Sequence, residues 1–167
     1  MNFIKKGIVL IVCMILTVTI IKAQNNTFSN TITLGIGTPI RDSTSVGFHM
    51  GYNPSVSLSE YLAIEGQLSY FNTQLITVLS DDIGTVHSFN ALIGPRINFI
   101  FEDNENYFHL NFLVGSSYSG RVMDRTDSDP RFNFGLSFGG FFNIRQFTFG
   151  LSYDTPRNVV FKAGHTF

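Results

Sequence analysis

The sequence predicts an all-β fold: an eight-stranded antiparallel up-and-down transmembrane β-barrel, preceded by a signal peptide. Three observations carry this. Apolar residues recur at every second position from Asn30 onward, the period of a strand whose side chains alternate between two faces. The opposite face is rich in Gly, Ser, Thr and Asn and almost free of Lys and Glu, too poorly charged for a strand surface in water. Apolar residues make up 44% of the 167 and charged residues 14%, against about 25% charged in ordinary soluble chains. Yet no run after residue 24 approaches the roughly 20 apolar residues of a membrane helix. A greasy chain without a greasy run must alternate.

The first element is the leader. Lys5 and Lys6 form a positive region, Gly7 to Ile21 an apolar one, and Ala23 precedes Gln24. This predicts a secretory signal over residues 1–23, cleaved between Ala23 and Gln24, and a barrel domain over 24–167. Cys13, the sole cysteine, has Val12 before it and apolar sequence after it, which argues against lipidation. The mature chain then has no thiol, hence no disulfide, cysteine nucleophile or thiolate metal site. It carries eight basic and twelve acidic residues, a net charge of −4, and no basic cluster, which excludes a nucleic-acid binder.

Strand one sets Ile32, Leu34 and Ile36 against Thr31, Thr33, Gly35 and Gly37. After a polar turn at 41–45, strand two alternates Val46, Phe48, Met50, Tyr52, Val56 and Leu58 with Gly47, His49, Gly51, Asn53, Ser55 and Ser57. Pro54 cannot donate to a ladder and predicts a bulge or weak pairing. Ser59-Glu60-Tyr61 is a tight turn into strand three, where Leu62, Ile64, Leu68 and Tyr70 oppose Ala63, Glu65, Gln67 and Ser69. Residues 71–86 read as the longest connection, in which Gln74 to Leu79 can extend a strand and Ser80 to Gly84 reads as loop. Strand four has Phe89, Ala91, Ile93, Ile97 and Phe99 opposite Ser88, Asn90, Gly94, Arg96 and Asn98, then a turn at 102–106. Strand five sets Phe108, Leu110, Phe112, Val114 and Tyr118 against His109, Asn111, Gly115 and Ser117, and 119–130 reads as a charged loop. Strand six shows Phe132, Phe134, Leu136, Phe138 and Phe142 opposite Asn133, Gly135, Ser137 and Gly139, with a turn at 143–146. Strand seven places Phe147, Phe149, Leu151 and Tyr153 against Thr148, Gly150, Ser152 and Asp154, with a turn at 155–158. Strand eight puts Val159, Phe161, Ala163, His165 and Phe167 on one face.

An apolar face that is continuous, beside a small polar one, suits lipid outside and a narrow lumen inside. Backbone groups in lipid must all be paired, so such strands close into a barrel without an edge. Eight strands enclose an interior that side chains can fill. The connections at 58–61, 102–106 and 143–146 are short, and longer ones lie between them, the asymmetry of short periplasmic turns and longer external loops. Both termini are then expected to be periplasmic. The alternative, a soluble lipocalin-like barrel, fails on the shortage of outward charge.

With these features the chain resembles the small outer-membrane β-barrel proteins of Gram-negative bacteria, of eight-stranded OmpA/OmpX-like architecture. The resemblance spans about 30–167 and rests on the secretory signal, the alternating strands, the Ser-Glu-Tyr turn and the closing Val-Val-Phe-Lys-Ala-Gly-His-Thr-Phe at 159–167. It implies that Phe167 is an assembly signal read by the barrel-assembly machinery. His165 stands where the family usually has an apolar residue. A chain ending at Phe167 is expected to lack the peptidoglycan-binding domain of larger relatives.

For chemistry, Glu65 and Arg96 face the lumen by parity on adjacent strands at similar depth, and Lys162 faces it at comparable depth. Buried charges need each other, so these three are expected to form a lumen ion network. His49, His87, His109 and His165 lie on different strands without metal-ligand spacing. His87 and Ser88 are adjacent, point to opposite faces and cannot act as base and nucleophile together. Asp81-Asp82 and the Asp-rich 124–129 segment lack the Gly and Glu of a calcium loop and read as solvated loop charge. No catalytic residue, metal or cofactor is expected. The expected role is structural, or surface contact through 71–86 and 119–130, in a monomer with a filled lumen. Its partners are outer-membrane lipid, lipopolysaccharide and the assembly machinery. The alternative is a narrow channel or carrier for small hydrophobic molecules.

Overall fold

The computed structural model describes residues 27–39, 46–76, 83–101, 106–123, 128–155 and 158–167. The leader, with Ala23 and Gln24, the pair Asp81-Asp82 and residues 124–127 lie outside them. The strands are β1 (Phe28–Pro39), β2 (Gly47–Ser57), β3 (Leu62–Ile76), β4 (Ile83–Ile100), β5 (Asn106–Met123), β6 (Ser128–Ile144), β7 (Phe147–Asp154) and β8 (Asn158–Thr166). They follow one another in sequence order around a closed antiparallel barrel, with β8 returning to β1.

The two faces divide as the alternation predicts. Ile32, Leu34, Phe48, Met50, Leu68, Phe89, Phe138 and Phe161 stand exposed on the outer wall. Thr31, Thr33, His49, Glu65, Gln67, Arg96, Asn111 and Lys162 are buried inside it. This is a soluble protein turned inside out: apolar groups meet the surroundings and ionic groups meet each other.

The register sets the tilt. A path stepping along paired residues leaves the foot of β1 at Thr27, passes Ser57, Ala63 and Arg96, continues through Asn111, Gly139, Ser152 and Val160, and returns to β1 at Gly37. That offset between departure and return is the stagger that inclines strands in a closed barrel. Consequently side chains that meet across the lumen are displaced diagonally from their register partners.

Pro54 keeps its partner Asn30 on β1, while pairing with β3 is interrupted between Tyr52↔Leu68 and Ser55↔Glu65. The register is the same on either side, so the pairing weakens there without a bulge. The register shift the structure does contain lies between Ser119 and Arg121, against β6.

Two connections differ from expectation. Most of 71–86 is strand: β3 continues to Ile76 and β4 starts at Ile83. Likewise 119–130 shrinks to the four residues between Met123 and Ser128. The sequence at these ends mixes polar and apolar residues on both faces, which is what a hairpin rising out of a membrane into water carries; alternation fades there although backbone pairing persists. β3 to β6 therefore form a tall wall, and β7, β8, β1 and β2 a shorter one. At the opposite end the turns are tight. Leu58 N–H donates to the Leu62 carbonyl at 2.8 Å, and Leu62 N–H donates to Ser59 Oγ at 3.1 Å. Arg145, in the two-residue turn after β6, adopts a left-handed φ of 54°.

Candidate functional site: the charged lumen

Glu65 is the hub of the lower lumen. Its Oε1 accepts from Asn111 Nδ2 at 2.8 Å and Asn53 Nδ2 at 3.2 Å. Its Oε2 accepts from Arg96 Nη1 at 3.4 Å, with His109 Nε2 at 4.0 Å. The register partner of Glu65 is Gly94, and Arg96 lies two residues further along the same face. The glycine is required by the neighbouring strand, where a Cβ would run into the Phe112 carbonyl oxygen. The network continues toward the chain ends: His109 Nδ1 lies 2.7 Å from Asn143 Nδ2, and Thr148 Oγ1 donates to Asn143 Oδ1 at 2.5 Å.

Lys162 belongs to a second cluster. Its Nζ lies 2.7 Å from Asp154 Oδ2 and donates to Gln67 Oε1 at 3.4 Å. Asp154 also accepts from Ser137 Oγ at 2.6 Å and lies 3.6 Å from His49 Nε2. The structure thus joins Glu65 to Arg96 and gives Lys162 a different carboxylate. Asp154 and His49, which the sequence reading placed on the inner face without giving them a partner, complete this cluster. Their signal was parity; what parity lacks is the diagonal offset that brings β7 and β8 residues together.

The lumen also holds bulky apolar groups that alternation alone did not reveal. Phe71, Leu92, Leu113, Phe141 and Val160 are buried inward. Glycines accommodate them: a Cβ on Gly139 would stand 2.5 Å from the Phe141 ring, and one on Gly47 would run into the Phe71 ring. Lys162 Nζ sits 5.9 Å from the Phe141 ring centre. Between Glu65, Arg96, His109 and Lys162 lies a cavity of about 20 Å³. That is room for about one water molecule.

The remaining sequence-selected residues fall elsewhere. Phe167 is exposed at the foot of the outer wall. Its backbone extends β8 against β1, with Phe167 N–H donating to Asn30 O at 2.8 Å and Asn30 N–H returning to Phe167 O at 3.0 Å. His165 packs between Phe147 and Phe167. His87 faces outward and Ser88 is fully buried inward. Among the described residues no three His, Cys, Asp or Glu cluster as a metal site.

No protein-family model matches this chain, and no curated protein matches it. Solved structures do. The attachment invasion locus protein Ail of Yersinia pestis, in complex with the heparin analogue sucrose octasulfate, superposes with a TM-score of 0.53 at 14% identity, covering 85% of this chain and 97% of that one. Neisserial surface protein A superposes with a TM-score of 0.53 at 11% identity, covering 83% and 94%. The chain therefore has the fold of the small eight-stranded outer-membrane β-barrels.

Proposed function

We propose that this chain is an integral barrel of a bacterial outer membrane, with both termini periplasmic, that acts by surface contact at its loop end and catalyses no reaction. The observation that carries the contact reading is the unequal wall. Among the described residues, β6 pairs with β7 only from Ser137 onward, and Thr155 caps Leu136 through its backbone and hydroxyl. Residues 128–135 therefore rise above the short wall, with Phe132 and Phe134 at 70% and 69% exposure. Two large rings exposed together beside the loop end form an apolar patch of the kind that marks a contact surface. A neighbour whose name speaks of attachment is consistent with this role. The channel reading has the 20 Å³ lumen cavity against it.

The test is adhesion. Cells producing the wild type are compared with cells producing a variant in which 77–82 and 124–127 are replaced by Gly/Ser segments and Phe132 and Phe134 by Ser. Binding to abiotic, protein-coated and cell-coated surfaces is measured beside the amount of folded barrel. Reduced binding to at least one surface at equal barrel content is expected. Equal binding on every surface would sink the contact role.

A further inference from the structure

The outer wall is not evenly covered. Along one line of paired residues it runs Leu68, Ala91, Ser116, Phe134, so two small side chains stand side by side between larger ones. A ridge of rings overhangs them: Tyr70 and Phe89 at 4.8 Å between centroids, Phe89 and Tyr118 at 6.5 Å, Tyr118 and Phe132 at 4.8 Å. The result is an almost wholly apolar groove of about 580 Å³, within the roughly 300–1,000 Å³ of ligand pockets. Smallness alone does not make it. Gly140 is also on the outer wall, but there Phe108 and Leu110 lean in, and a Cβ would meet them at 3.1 and 3.3 Å.

The groove has one polar end. Tyr70, which lines it, places its hydroxyl 2.6 Å from His87 Nδ1 and accepts from Asn72 Nδ2 at 3.2 Å. Tyr70, Asn72 and His87 thus form one hydrogen-bonded group at that end. All three side chains are half-buried near the loop ends of β3 and β4, where hydrocarbon gives way to headgroups. An apolar trough closed at its interfacial end by a cluster of polar side chains matches an acyl chain with an ester at its head.

We infer that this groove binds a single acyl-ester lipid of the leaflet nearest the loops, its chain over Ala91 and Ser116 and its ester group at the cluster of Tyr70, Asn72 and His87. The inference rests on the membrane reading above, which supplies lipid as the only solvent of this wall.

The experiment is native mass spectrometry of protein folded into vesicles of phosphatidylethanolamine and phosphatidylglycerol and then extracted into detergent. Insertion is scored first, by the heat-modifiable electrophoretic mobility of a closed barrel. The wild type should hold one phospholipid at activation energies that strip the rest. Ala91→Leu and, independently, Ser116→Leu should lose that lipid, while Ala163→Leu, on the exposed outer face of β8, should keep it. His87→Ala should lower the retained fraction about fivefold, as removal of one hydrogen bond does. A wild type stripped bare with its neighbours overturns the site. So does equal retention in all variants, which would be ordinary boundary lipid. Failure of the wild type to insert overturns the membrane reading instead.

Discussion

Glu65 and Arg96 show what a single buried pair asks of its surroundings. Each is nearly inaccessible, at 3% and 6% exposure. Two asparagines share the carboxylate with the guanidinium, so its lone pairs are used on both oxygens. Removing one partner strands the other charge, which typically costs about 3–5 kcal/mol. Glu65→Leu and Arg96→Met are each expected to lower the unfolding free energy by that order in urea titrations of the folded barrel, and the double variant by less than their sum. Single variants as stable as the wild type would show the pair bathed in luminal water. By the same reasoning Lys162→Met should strand Asp154 and cost a similar amount, and its coupling to Glu65→Leu should be weaker than that of Arg96→Met. The first pair was legible in the sequence because parity, adjacency and depth all converge on neighbouring strands. The second was not, because the register partner of Lys162 on β7 is Gly150 and the contact to Asp154 runs four residues along the strand. Only the stagger of the closed barrel supplies that offset.

At the scale of the strand, alternation located every element but not every end. Where β3 to β6 rise past the apolar band, outer positions become Asn72, Thr85 and His87, and the pattern that reveals a strand in lipid no longer distinguishes it from loop. Hydrogen bonding between neighbours, invisible in one sequence, carries the strands on. At the other end, β8 is fastened to β1 by the reciprocal backbone bonds of Phe167 and Asn30 and by the 2.8 Å contact of the Thr31 and Thr166 hydroxyls. Deleting Phe167 removes both that backbone pair and the exposed ring. The truncated protein should insert more slowly and accumulate as periplasmic aggregate, measured by protease protection over time after induction. Insertion at the wild-type rate would refute an assembly role for this residue.

For the molecule as a whole, two expectations remain to be checked by simple measurements. The mature protein should begin at Gln24, so its intact mass should correspond to loss of residues 1–23; a membrane-bound species retaining Met1 would contradict this. In planar bilayers the wild type should pass little current, because Glu65, Arg96, Lys162 and Phe141 fill the midsection; a large steady conductance would mean that the plug opens. The closed order of strands has one more consequence. The seam joins β1 to β8, so the first strand to leave the ribosome finds one of its two neighbours only after every other strand has been made. No partial chain can satisfy both edges of β1. Closure must therefore wait until β8 has been made, and until then one edge of β1 lacks the neighbour that the finished barrel gives it.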